Sequence, residues 1–120
     1  MKRFSLLCLL LHCFLWKTSM NVSVKQGQNI ALTCPLNPNS SVGVISWYKQ
    51  PPGHEPQFIL SHNLTNTSHV HYGSGLNHSR YVVFTSDGLK THYHLQIITT
   101  LKNDTGVYYC GFADKNPTHD

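Results

Sequence analysis

Near its C-terminus the chain reads Asp104-Thr105-Gly106-Val107-Tyr108-Tyr109-Cys110. Cys110 lies 76 positions after Cys34, Trp47 follows Cys34 by 13, and Tyr108 stands two residues before Cys110. The segments around these residues alternate between apolar and polar positions. Ile30, Leu32 and Cys34 share one face of a strand over 29–34, and Ile45 and Trp47 share one face of a strand over 44–50. Tyr93, Leu95 and Ile97 do the same over 91–98. Successive strand side chains point to opposite faces, so each run presents one apolar face, and Trp47 and Leu95 are expected in the core.

The remaining segments fit the same pattern. Residues 21–25 predict an edge strand, 57–61 and 80–85 predict further strands, and 70–72 a short edge strand. The last strand predicted covers 106–112. Turn clusters rich in Pro, Gly, Asn and Ser separate them, at 35–42, 51–53 and 86–88. There is no convincing amphipathic helical period, so the chain is expected to be all-β.

The first residues are read as a leader. Lys2 and Arg3 precede a mostly apolar, Leu-rich run over 4–16, which is short for a membrane span and fits a secretory signal peptide. Cleavage near Ser19 would leave residues 20–120 as one domain, with the product on the extracellular face of the plasma membrane or secreted. Without the leader the charge changes from +4 to about +1, because residues 20–120 hold six Lys or Arg and five Asp or Glu. No nucleic-acid patch follows from that balance. Cys8 and Cys13 leave with the leader, so Cys34 and Cys110 remain. A lone pair in a secreted chain reads as a disulfide. Closing so long a loop contributes roughly 4–5 kcal/mol on the chain-entropy account.

Taken together, Cys34, Trp47, Tyr108 and Cys110 resemble the variable-type immunoglobulin domain. That fold is a Greek-key sandwich of two antiparallel sheets, with a tryptophan against the bridge and a tyrosine pinning the corner before the second cysteine. Trp47-Tyr48-Lys49-Gln50 followed by Pro51-Pro52-Gly53 is similar to the third strand of antigen-receptor variable segments. The resemblance implies that Tyr48 and Gln50 face a second variable-type domain, and that Arg80 and Asp104 form a salt bridge beneath the sandwich. It is similar in style to variable segments of T-cell receptor chains and to innate novel immune-type receptors of bony fish. One departure stands out. The family's last strand carries Phe-Gly-x-Gly, whereas this chain has Gly111-Phe112-Ala113-Asp114. The final strand is therefore expected to be missing or incomplete, which leaves an open sheet edge. Membrane attachment would come only through a segment not present in this chain.

The resemblance implies binding of a protein or peptide ligand through three loops at one end of the sandwich. Candidate contacts are Asn37, Asn39 and Ser40 in the first loop, His62 and Asn63 in the second, and Ala113 and Asp114 at the start of the third. An innate receptor that does not recombine, an adhesion module and a secreted decoy are the alternatives. Six Asn-x-Ser/Thr sequons occur, at Asn21, Asn39, Asn63, Asn66, Asn77 and Asn103, and a secretory chain offers them for glycosylation. Sugar at Asn39 or Asn63 would partly cover the loop tips. The pairs His69/His71 and His92/His94 each share a strand face, but no cysteine or carboxylate cluster joins them, so no metal is expected. No nucleophile motif, phosphate-cradling loop or paired acid–base carboxylates are present, so neither catalysis nor a cofactor is expected.

Overall fold

A computed structural model describes residues 16–22, 26–36, 42–66 and 69–113. They form eight strands: β1 (Trp16–Val22), β2 (Ile30–Thr33), β3 (Val44–Gln50), β4 (Gln57–Asn63), β5 (Val70–Tyr72), β6 (Tyr81–Ser86), β7 (His92–Ile97) and β8 (Gly106–Ala113). Two single 3-10 turns, His78–Arg80 and Lys102–Asp104, precede β6 and β8. The strands make two antiparallel sheets, one in the order β1-β8-β3-β4-β5 and the other β2-β7-β6.

The alternation read from the sequence builds these sheets directly. Ile45 and Trp47 on β3, Leu60 on β4, Leu95 and Ile97 on β7, and Tyr108, Cys110 and Phe112 on β8 are buried together in one cluster with Cys34 and Tyr81. Cys34, just past β2, bonds to Cys110 on β8 and so ties one sheet to the other. Trp47 lies opposite Cys110 in the β3–β8 register and is 1% exposed. Burying an aromatic side chain of this size against the bridge removes a large apolar area from water, the dominant favourable contribution in a domain this small.

Three details depart from the sequence pattern. β4 runs two residues beyond the predicted end and carries His62 into the sheet. A bulge in the β3–β4 register falls between Trp47 and Tyr48, so that both Ile59 and Leu60 are buried although they are consecutive. β1 begins at Trp16 rather than at residue 21, and so runs across the expected cleavage point at Ser19. It pairs along β8 from Trp16 opposite Phe112 to Val22 opposite Gly106. The open edge of β8 supplies the reason, since its unpaired N–H and C=O groups are a template for any extended segment within reach.

Close approach fixes the glycines at both ends of β3. A Cβ at Gly106 would stand 2.7 Å from the Gln50 carbonyl oxygen, where β8 begins beside the end of β3. At Gly43, φ is +150° and a Cβ would stand 2.7 Å from the Ala113 carbonyl oxygen and from the Phe112 ring. Gly43 thereby lets the first loop enter β3 tight against the end of β8.

Candidate functional site

The antiparallel register places three regions. Val44, Asn63 and Ala113 lie together at one end of the sandwich, and Gln50 and Gly106 at the other. Between them runs the face of the five-stranded sheet turned away from the core. Rows of side chains cross that face: Ala113, Val44 and Asn63; then Gly111, Ser46, Ser61 and His71; then Tyr109, Tyr48 and Phe58; then Val107 and Gln50.

The row of Tyr109, Tyr48 and Phe58 is the tallest. Tyr48 packs edge-on to Phe58, with ring centroids 5.5 Å apart at 62°, and is only 8% exposed although it points away from the core. Phe58 in turn lies 6.2 Å from the His71 ring. The Tyr109 hydroxyl donates to Gln50 Oε1 at 2.7 Å, and Gln50 Nε2 donates to the His54 carbonyl at 3.0 Å. Two hydrogen bonds thus orient the Gln50 amide. The two residues named from the sequence, Tyr48 and Gln50, are brought together here with Phe58 and Tyr109, which sequence reasoning missed. Their signal was available, because Tyr109 shares the outward parity opposite to Tyr108 and Cys110 on β8. Above this row, the small residues Gly111, Ser46 and Ser61 leave lower ground. Val44, Ser61, Asn63, His69, Val70 and His71 line a depression there of about 250 Å³.

The loop end carries the second expected site. Asn37, Asn39, Ser40 and Asp114 lie outside the described residues. Ala113 is half-buried as the last residue of β8. His62 corrects the expectation of a loop contact: it is inside β4 and 4% exposed, because it continues the inward alternation from Leu60. The second loop therefore starts after Asn63. It is closed by backbone bonds from Leu64 N to Gly43 O (2.9 Å), from Asn63 N to His69 O (3.1 Å) and from His69 N to Asn66 O (2.8 Å). Asn63 Oδ1 accepts from Thr65 N at 2.9 Å and from Asn66 N at 3.1 Å, which sets the turn with a side chain.

At the opposite end, Asp104 is 1% exposed and collects a network. Arg80 is bonded to its Oδ2, as the resemblance implied. Leu101 N donates to the same oxygen at 2.7 Å, and Lys49 Nζ stands 3.7 Å from Oδ1. Lys49 Nζ also donates to the Asn103 carbonyl. Burial lowers the Lys49 pKa below its ordinary value, and the Asp104 carboxylate opposes that shift without cancelling it. The Tyr108 hydroxyl donates to the Asp104 carbonyl at 2.6 Å, and burial raises its pKa. This corner is structural: Arg80, Lys49, the Leu101 N–H and the Tyr108 hydroxyl all turn onto Asp104.

The two histidine pairs do not meet. His71 is on β5 and His69 just before it, while His92 and His94 are on β7 in the other sheet. His94 is held by Thr33 Oγ1 at 3.0 Å and Ser86 Oγ at 2.7 Å, and stacks on Phe84. Among the described residues no group of three or more His, Cys, Asp or Glu could hold a metal ion. Among them, too, no helix is long and apolar enough to cross a membrane.

Comparison with known proteins agrees with this geometry. The chain is 34% identical to human T cell receptor gamma variable 4 over 90 residues, 73% of this chain and 71% of the relative. It is 33% identical to human T cell receptor alpha variable 13-2 over 89 residues, 74% and 71% of the two chains. The mouse immunoglobulin omega chain is 30% identical over 92 residues, covering 75% of this chain and 62% of that one. The family model for the immunoglobulin V-set domain matches residues 17–120. With its bridged sheets, its buried Trp47 and its pinned corner, the chain belongs to the immunoglobulin V-set family and is related to T-cell receptor variable segments.

Proposed function

We propose that this domain is the recognition domain of an immune receptor, of the T-cell-receptor variable-segment kind, acting by non-covalent binding outside the cell. The loops at the end marked by Val44, Asn63 and Ala113 would contact a protein or peptide ligand. The outward face of the five-stranded sheet would pair with a second variable-type domain. The observation that supports this most is the row of Tyr109, Tyr48 and Phe58 with Gln50 beside it. Rigid aromatic side chains around an oriented amide are the composition of an interface core, where aromatic residues are enriched and charge is depleted. Across β8, β3 and β4 these rows hold no Lys, Arg, Asp or Glu, and Lys17 of β1 enters them only at the sheet edge, opposite Gly111.

Entry into the secretory pathway, a cut near Ser19 and N-glycans at some of the sequons belong to the same reading. The test is to sequence lymphoid transcripts that read 3′ from the Cys110 codon. Junctions that differ between clones and lead into a Phe-Gly-x-Gly strand support the proposal. One invariant continuation in every transcript would instead assign the domain to a receptor that does not recombine.

A further inference from the structure

Four of the six sequons have side chains among the described residues, and they divide by position. Asn77 and Asn103 precede and lie within the 3-10 turns beside Arg80 and Asp104, at the end away from the loops. Asn66 is at the exposed tip of the second loop. Asn63 differs from all of these. It ends β4 on the outward face, in the row with Val44 and Ala113, and it lines the depression of about 250 Å³ with Ser61, His69 and His71.

The Asn63 amide is also fixed. Its Oδ1 takes the N–H groups of Thr65 and Asn66, which leaves Nδ2, the atom that carries sugar, outside those two bonds. The sequon is completed by Thr65, whose backbone N–H makes one of those bonds. A substituent on Nδ2 therefore does not disturb the turn that holds it.

We propose that Asn63 is an N-glycan acceptor, and that its glycan lies over the depression formed by Val44, Ser61, His69, Val70 and His71 on the outward face of the five-stranded sheet. The donor is a lipid-pyrophosphate-linked oligosaccharide. The Nδ2–C1 bond forms, the C1–O bond to the pyrophosphate breaks, the lipid pyrophosphate leaves, and Nδ2 loses one proton. A branched, strongly hydrated group at this place covers the upper half of the face while the row of Tyr109, Tyr48 and Phe58 stays clear. Resting on the pairing reading above, the glycan is a steric control on that face: the modified chain resists a second domain that approaches across β4 and β5, and the unmodified chain admits it.

The test uses the full chain secreted from mammalian cells, with Thr65→Ala as the comparison. That variant removes the sequon but keeps the Asn63 side chain and the Thr65 N–H position. Enzymatic glycan removal from the unaltered protein provides a second comparison that does not depend on a substitution. Glycopeptide mass spectrometry should find sugar on Asn63. Labelling by diethyl pyrocarbonate should be at least about threefold slower at His69 and His71 in the glycosylated protein than in either comparison, with His92 labelled equally in all three. An unoccupied Asn63, or equal labelling of His69 and His71, overturns the proposal. Sedimentation of each form with itself tests the pairing reading separately, because occupancy and labelling do not depend on association.

Discussion

The hydroxyl of Tyr108 donates to the main-chain carbonyl of Asp104 at 2.6 Å, while the carboxylate of the same Asp104 receives Arg80 and the N–H of Leu101. One residue thus binds β8 to the turn before it through its backbone, and binds that turn to the 3-10 turn before β6 through its side chain. Removing only the hydroxyl isolates the first bond. Tyr108→Phe leaves the buried carbonyl without its donor and should cost about 1–3 kcal/mol. Urea unfolding monitored by Trp47 fluorescence measures it, and an unchanged midpoint would refute the role given to the hydroxyl.

Removing the carboxylate tests the second bond. Asp104→Ala leaves Arg80 and Lys49, with side chains 20% and 13% exposed, facing a buried site with no counter-charge. Both cations retain some access to water, so a loss of about 3 kcal/mol is expected, at the low end for a broken buried pair. Arg80→Ala should cost less, because Lys49 and Leu101 N–H still face the carboxylate. If Arg80→Ala proves the more damaging of the two, the account of Lys49 as a second partner is wrong.

Tyr48→Arg tests the pairing face. Tyr48 points out of the sheet and is 8% exposed, so a longer cationic side chain can reach solvent without entering the core. Folding should be retained within about 1 kcal/mol, while affinity for a partner variable-type domain should fall at least tenfold, as expected for an aromatic anchor at an interface centre. Calorimetric melting and surface plasmon resonance separate the two effects, and unchanged affinity would favour the adhesion or solitary reading.

His94 gives a dependence on pH. Burial lowers its pKa from 6.5, with His92 adding to the shift, so the folded state favours the neutral ring. The stability that follows is fully present above 6.5 and is lost as pH falls through the lower, folded value. Between about pH 7 and pH 5 the melting temperature of the unaltered chain should fall more steeply than that of His94→Gln. Parallel profiles would show that His94 carries none of the acid sensitivity.

Much of this fold could be read from residue parity. Alternation located β3 and β5 to the residue, and Cys34, Trp47, Leu95, Tyr108 and Cys110 all sit where their spacing put them. Lys49 was legible by the same rule and was missed. It shares the parity of Trp47, and a cation on an inward row requires an acid nearby. His62 was missed for a related reason: a polar residue next to a turn cluster looks like loop, yet the inward face of β4 continues through it. The bulge between Trp47 and Tyr48 leaves no periodic trace, because an extra residue in one strand is set by the partner's register. The start of β1 was hidden by composition, since an apolar N-terminal run reads as leader whether or not its end can also pair with β8.

That pairing has a consequence for the order of events in folding. β3 and β4 are joined by a six-residue turn and can zip locally, whereas β1 of the uncut chain meets β8 only when nearly the whole length of the chain has been folded back on itself, Trp16 against Phe112. β1, one of the two edge strands of the larger sheet, is therefore the last to arrive and the first to detach. In native-state hydrogen exchange, the amides of β1 should open at a small fraction of the free energy that protects β3, and they should open together as one unit that leaves the bridged core intact.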